Sequence, residues 1–260
     1  TDDFRLGFVH QKIIEEQYGY RKIDTGDRTV AIRDWDPGDI NKFYFSYTSN
    51  YNRWLPWLSS LDFTSELSSK AWNSDFDFVR LALKYQLQLA PRTKCWRIIF
   101  RNFLGYLHHE NSRVPIQSQF WLAEGNPNQR FKYYYLRSPG SMPAWLPYHL
   151  PGDGNLRGYF NKLISGTLPL TANQIATANI EFVHRNVHNL LPKFFRKQFS
   201  GINFCLFFDG GGFWGSQITE KALLDAGFGF RFYRQILGRE RQLRIDFPLW
   251  LSHPNIDNQA

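Results

Sequence analysis

The sequence predicts an all-β protein built as an antiparallel transmembrane β-barrel, and three observations predict it. Polar and apolar residues alternate with period two over long stretches, the signature of strands that place successive side chains on opposite faces. Many of these stretches run 9–13 residues, whereas globular strands run about 5–6 and tilted membrane-spanning strands about 9–11. Aromatics reach 18% of the 260 residues, with 24 Phe, 13 Tyr and 9 Trp, a load that suits a barrel with aromatic girdles.

Taken in order, residues 4–14 and 28–34 are weaker strand candidates. In 41–51, Phe43, Phe45 and Tyr47 oppose Lys42, Tyr44, Ser46 and Thr48. In 61–72, Leu61, Phe63, Leu67 and Ala71 oppose Asp62, Thr64, Glu66, Ser68 and Lys70. The clearest case is 75–89: Val79, Leu81, Leu83, Tyr85, Leu87 and Leu89 share one face, and Arg80, Ala82, Lys84, Gln86 and Gln88 the other. Short joins, "NSD" and "PRTK", separate it from its neighbours. In 95–106, Trp96, Ile98, Phe100, Leu104 and Tyr106 oppose Arg97, Arg101 and Gly105. A Pro- and Gly-rich segment, 108–175, then interrupts the pattern; a loop of that length is functional or tucked into something. Segments 176–187 and 201–210 follow as weaker strands. In 225–233, Phe228, Phe230 and Phe232 oppose Gly227, Gly229, Arg231 and Tyr233. In 242–250, Leu243, Ile245, Phe247 and Leu249 oppose Gln242, Arg244 and Asp246. The total is about ten strands, read as one membrane domain over residues 1–260.

Both signs of charge sit on the polar face, as a wet lumen would require, and the apolar face would meet lipid. The formal net charge of +8 is spread along the chain rather than gathered in a tract, which argues against nucleic acid. Cys95 and Cys205 match no metal or redox spacing, and His108–His109 lacks further ligands at metal spacing. No apolar run is long enough for a membrane helix. A signal peptide is absent and the chain begins at Thr1, so processing or a larger protein is expected. There is no Ser/His/Asp constellation and no metal cluster. The glycines of "GDGNLRGYFN" (152–161) lack the strand–loop–helix context of a phosphate loop. No catalytic residue, metal or cofactor is therefore expected, and the chain reads as a non-enzyme.

Four motifs in order, "LRGY" (156–159), "ANIEFVHRN" (178–186), "INFCLFFDGGGFW" (202–214) and "DAGFGFRF" with "LRIDFPL", resemble the C-terminal barrel of the bacterial surface-antigen superfamily. That superfamily includes outer-membrane protein assembly factors and two-partner secretion transporters. The resemblance covers roughly residues 95–250; before that only alternation matches. It implies part of a sixteen-stranded barrel in the outer membrane of a Gram-negative bacterium. It also implies that the long loop folds into the lumen and carries an Arg-Gly-aromatic tip, here Arg157, Gly158 and Tyr159. The tip arginine would reach acids on the wall. Parity in 202–209 places Asp209 opposite Phe204, Leu206 and Phe208, so Asp209 points inward. Glu181 and Asp225 are second-choice partners on the same grounds.

"LRIDFPLWL" resembles the penultimate strand of the family, so the barrel is expected to be incomplete, with its edges closed by further strands or another chain. The implied function is insertion or translocation of proteins across the outer membrane. The implied partners are outer-membrane lipid and lipopolysaccharide, client polypeptides and other membrane-complex subunits. The alternative is a non-catalytic barrel that anchors or displays a fused upstream hydrolase. A soluble aromatic-rich sugar binder would instead bury its apolar face.

Overall fold

The computed structural model describes residues 2–15, 17–22, 29–50, 58–89, 95–110, 114–131, 150, 152–160, 162–164, 168–185, 202–215, 222–236 and 239–254. Its core is one nine-stranded sheet. The strands are β1 (Asp2–Ile13), β2 (Gly38–Asn50), β3 (Leu58–Ser68), β4 (Phe78–Leu89), β5 (Trp96–His108), β6 (Gln174–His184), β7 (Ile202–Trp214), β8 (Ala222–Ile236) and β9 (Arg239–Leu251). They follow one another in sequence order and every neighbouring pair is antiparallel. Most are 11–13 residues long. Such an up-and-down meander needs only chain reversals between strands.

The two faces are inverted relative to a soluble sheet. On β4, Arg80 and Ala82 are buried while Leu81 and Leu83 are partly exposed. Across the sheet, large apolar side chains stand exposed, among them Phe43, Leu104, Phe182, Leu206, Phe208 and Leu249. The buried polar set includes Arg80, Asn179, Glu181, Asp209, Asp225 and Arg231.

One sequence expectation is corrected here. Residues 28–34 were expected as a barrel strand, but Thr29–Trp35 pairs with Gln17–Lys22 in a separate two-stranded hairpin. Period-two alternation identifies a strand and not the sheet it joins. The expected strand at 61–72 also ends early, at Ser68. Ser69 accepts a hydrogen bond from the Ala71 amide, a 3-10 turn covers Lys70–Trp72, and Asn73 closes it in the left-handed region at φ 57°. Asparagine tolerates that conformation better than most residues.

The long loop between β5 and β6 lies against the buried face. Its entering limb, 120–125, is bonded on both sides. Phe120 and Trp121 pair with Ala172 and Thr171. On the other side, the Gly154 amide donates to the Trp121 carbonyl (3.2 Å) and the Leu156 amide to the Leu122 carbonyl (3.0 Å). A Cβ on Gly152 or Gly154 would lie 2.0 or 2.2 Å from the carbonyl oxygens of Glu124 and Leu122. The glycines of "GDGNLRGY" therefore permit two chain segments to touch backbone to backbone. Phe120, Leu122, Leu156 and Tyr159 from the loop join Phe103, Phe213 and Leu223 from the strands in one apolar cluster.

Candidate loop-latch site

Arg157 opens a short 3-10 turn, Arg157–Tyr159, at the tip of the inserted loop. Its side chain is 2% exposed and Asp209, on β7, is 0% exposed. The guanidinium Nε donates to Asp209 Oδ2 at 2.6 Å and Nη2 to Asp209 Oδ1 at 2.8 Å. This is the two-pronged geometry that a planar guanidinium offers a carboxylate. Nη2 also lies 3.0 Å from Glu181 Oε1, on β6. The cation sits 4.0 Å over the ring of Phe207, whose negative π face attracts it.

Asp209 and Glu181 thus both stand at the guanidinium. Asp225, on β8, occupies a different position. It faces Asp209 across the strand pair and packs against the backbone of the tip: a Cβ on Gly158 would lie 2.8 Å from Asp225 Cβ. It forms no ion pair with Arg157 among the described residues. The third tip residue, Tyr159, is fully buried. Its hydroxyl donates to the Leu224 carbonyl (3.3 Å) and accepts from the His253 amide (3.1 Å). Ser252 Oγ lies 3.1 Å from the same hydroxyl. The tip therefore touches β6, β7, β8 and β9 and the chain just beyond β9.

Around the latch the charges continue. Glu181 Oε2 pairs with Arg231 on β8, and Glu181 Oε1 lies 3.5 Å from Arg244 on β9. Arg244 in turn pairs with Asp246. Glu181 is thus a hub for three arginines. Sequence reasoning put Arg231, Arg244 and Asp246 on the polar face without naming them as part of the site. Phe207 was on that face too, and an aromatic among polar neighbours was the available signal. The residues offer ion pairing and hydrogen bonding. No cluster of His, Cys, Asp and Glu among the described residues could hold a metal, and no described helix is long and apolar enough to cross a membrane. Cys95 is exposed and Cys205 buried, both as free thiols.

No family model matches the chain, and no curated protein matches it in sequence. Its structure is similar to the crystal structure of BamA from Haemophilus ducreyi lacking POTRA domains 1-3, with a TM-score of 0.51 at 13% sequence identity. The match covers 95% of this chain and 47% of that one, so the chain spans about half the length of the structure it matches. The likeness is one of fold: the chain has the all-β architecture of a BamA-like barrel.

Proposed function

We propose that this chain is part of an integral outer-membrane β-barrel of the surface-antigen superfamily that inserts proteins into, or translocates them across, the outer membrane. The observation that carries the reading is the inverted sheet. Charged groups are buried on the loop-bearing face, while Leu, Phe and Trp stand exposed on the other. Exposing that much apolar surface to water is unfavourable, and lipid removes the cost. The loop tip docked on Asp209 and Glu181 supports the superfamily assignment, because the four motifs that resemble it are the ones that meet there. Outer-membrane lipid and lipopolysaccharide would contact the apolar face. Client polypeptides and other membrane-complex subunits are the proposed protein partners.

Depletion of the intact protein from its host tests this. The expected result is a several-fold fall in folded outer-membrane barrels or in secreted client protein, with periplasmic proteins unchanged. Unchanged levels of both would overturn the reading and favour a barrel that only anchors an attached domain.

A further inference from the structure

The inserted loop is held at places far from Arg157. Asp36, just before β2, is 3% exposed and exchanges three hydrogen bonds with the loop. Its Oδ2 accepts from the Ile116 amide (2.8 Å), and its amide donates to Gln117 Oε1 (3.0 Å). Gln117 Nε2 then donates to the Asp36 carbonyl (3.2 Å). On β4, Arg80 Nη2 donates to Asp153 Oδ2 at 3.0 Å, with both side chains under 10% exposed. The Arg80 guanidinium lies 4.4 Å over the ring of Phe120, itself a loop residue. The second Asp153 oxygen accepts from Gln129 Nε2 (2.7 Å).

These anchors have a common geometry. Asp36 stands at the start of β2, Arg80 on β4, Glu181 and Asp209 on β6 and β7, and the Tyr159 partners just beyond β9. The loop thus touches the sheet from its first strand, where Gln11 Nε2 donates to Asn128 Oδ1 (3.2 Å), to its last. The polarity also reverses along it: at Asp153 the loop supplies the anion and the wall the cation, and at Arg157 the roles exchange. Asp153 and Arg157 are only four residues apart in sequence. Four residues reach at most about 14 Å, and the three strand spacings from β4 to β7 cover about 14 Å. With the Arg80 and Arg157 side chains adding their own reach, this short cross-piece joins the two ion pairs.

We infer that the loop is an internal tie that holds the β2 side of the sheet at a fixed distance from the β9 side, with Arg80 and Asp36 as its positioning residues. The Arg157 latch fixes only the β6–β9 half. Without Arg80 and Asp36 the tip stays docked, but the β2–β4 half is free to change its curvature. Opposed polarity makes the tie selective: no single change in loop charge weakens both of its ion pairs.

The test is a spin-label distance between the exposed apolar positions Phe43 on β2 and Leu249 on β9. Both are changed to cysteine in the intact protein, held in lipid nanodiscs, with the exposed Cys95 changed to serine. The expected result is one narrow distance distribution. It should broaden in Arg80→Gln and in Gln117→Met, which removes both hydrogen bonds to the Asp36 backbone, and stay narrow in Arg80→Lys, which keeps the charge. Lys42→Gln serves as control, because Lys42 pairs with Glu66 on the neighbouring strand and, among the described residues, not with the loop. It too should stay narrow. A narrow distribution in both Arg80→Gln and Gln117→Met overturns the inference, as does equal broadening in Lys42→Gln. Should Arg80→Gln fail to fold, the Gln117→Met distance alone decides in the same way.

Discussion

Burying a guanidinium is tolerable only where its donors find acceptors, and Arg157 finds Asp209 twice and Glu181 once. Removing one partner of such a buried pair costs about 3–5 kcal/mol, because the other is left charged in a low-dielectric site. Arg157→Ala should therefore undock the tip while the strands remain paired. Limited proteolysis should then cut within 110–160 at least ten times faster than in the wild type. Arg157→Lys should restore only part of the protection, since an ammonium cannot make the parallel pair. Unchanged cleavage in Arg157→Ala would remove the latch from the account. Asp153 makes a second residue-scale prediction. Burial pushes its carboxyl above the usual range near about 4, while Arg80, the Gln129 amide and Lys84 pull the other way. A raised carboxyl favours the docked loop most below its ordinary range, and that contribution is lost as pH rises through the raised value. In Asp153→Asn the pH dependence of loop protection should flatten across the acidic range, measured by the same proteolysis at graded pH. At this scale the Arg157–Asp209 contact was legible from parity plus the resemblance, because Asp209 lies in an alternating strand and Arg157 in the motif that carries the resemblance. The Arg80–Asp153 contact was not, because Asp153 lies in a loop whose path no periodicity encodes.

Among the elements, β7 and β8 show how far alternation reaches. Phe204, Phe228 and Phe230 form a ring cluster on the apolar face, with centroids 5.7–6.1 Å apart, a spacing that favours tilted aromatic pairs. Opposite them stand Asp209, Asp225 and Arg231, all buried. Phe230→Asp would put a carboxylate where lipid is expected, at roughly 2–4 kcal/mol near the bilayer midplane and less for an acid than for a base. The folded fraction after refolding into vesicles, read by heat-modifiable gel migration, should fall several-fold. Normal folding of that variant would reverse the facing assignment. Element boundaries were less legible than element faces. The strand at 61–72 stops at Ser68 because the Ser69 side chain and the left-handed Asn73 build a turn there. The 28–34 strand leaves the main sheet because, among the described residues, it pairs with Gln17–Lys22 alone. Partner choice depends on chain geometry, which a local pattern does not carry.

Across the molecule, the distribution of burial sets this sheet apart from a soluble β sandwich and supports the proposed membrane barrel. A soluble sandwich buries the apolar side chains and wets the charged ones; here the charged face is covered by the inserted loop. The amino-acid pattern by itself determined the all-β class, the antiparallel meander, the parity of each long strand and the inward aim of Asp209. All of these follow from the two-residue repeat of an extended chain, which is local and so written in consecutive residues. Only the tertiary structure decided that the loop spans from Asp36 to Ser252, that Asp225 backs Gly158 instead of pairing with Arg157, and that Glu181 gathers three arginines. Those contacts join residues dozens of positions apart through a path set by glycine-permitted backbone contacts, and no short-range period records such a path.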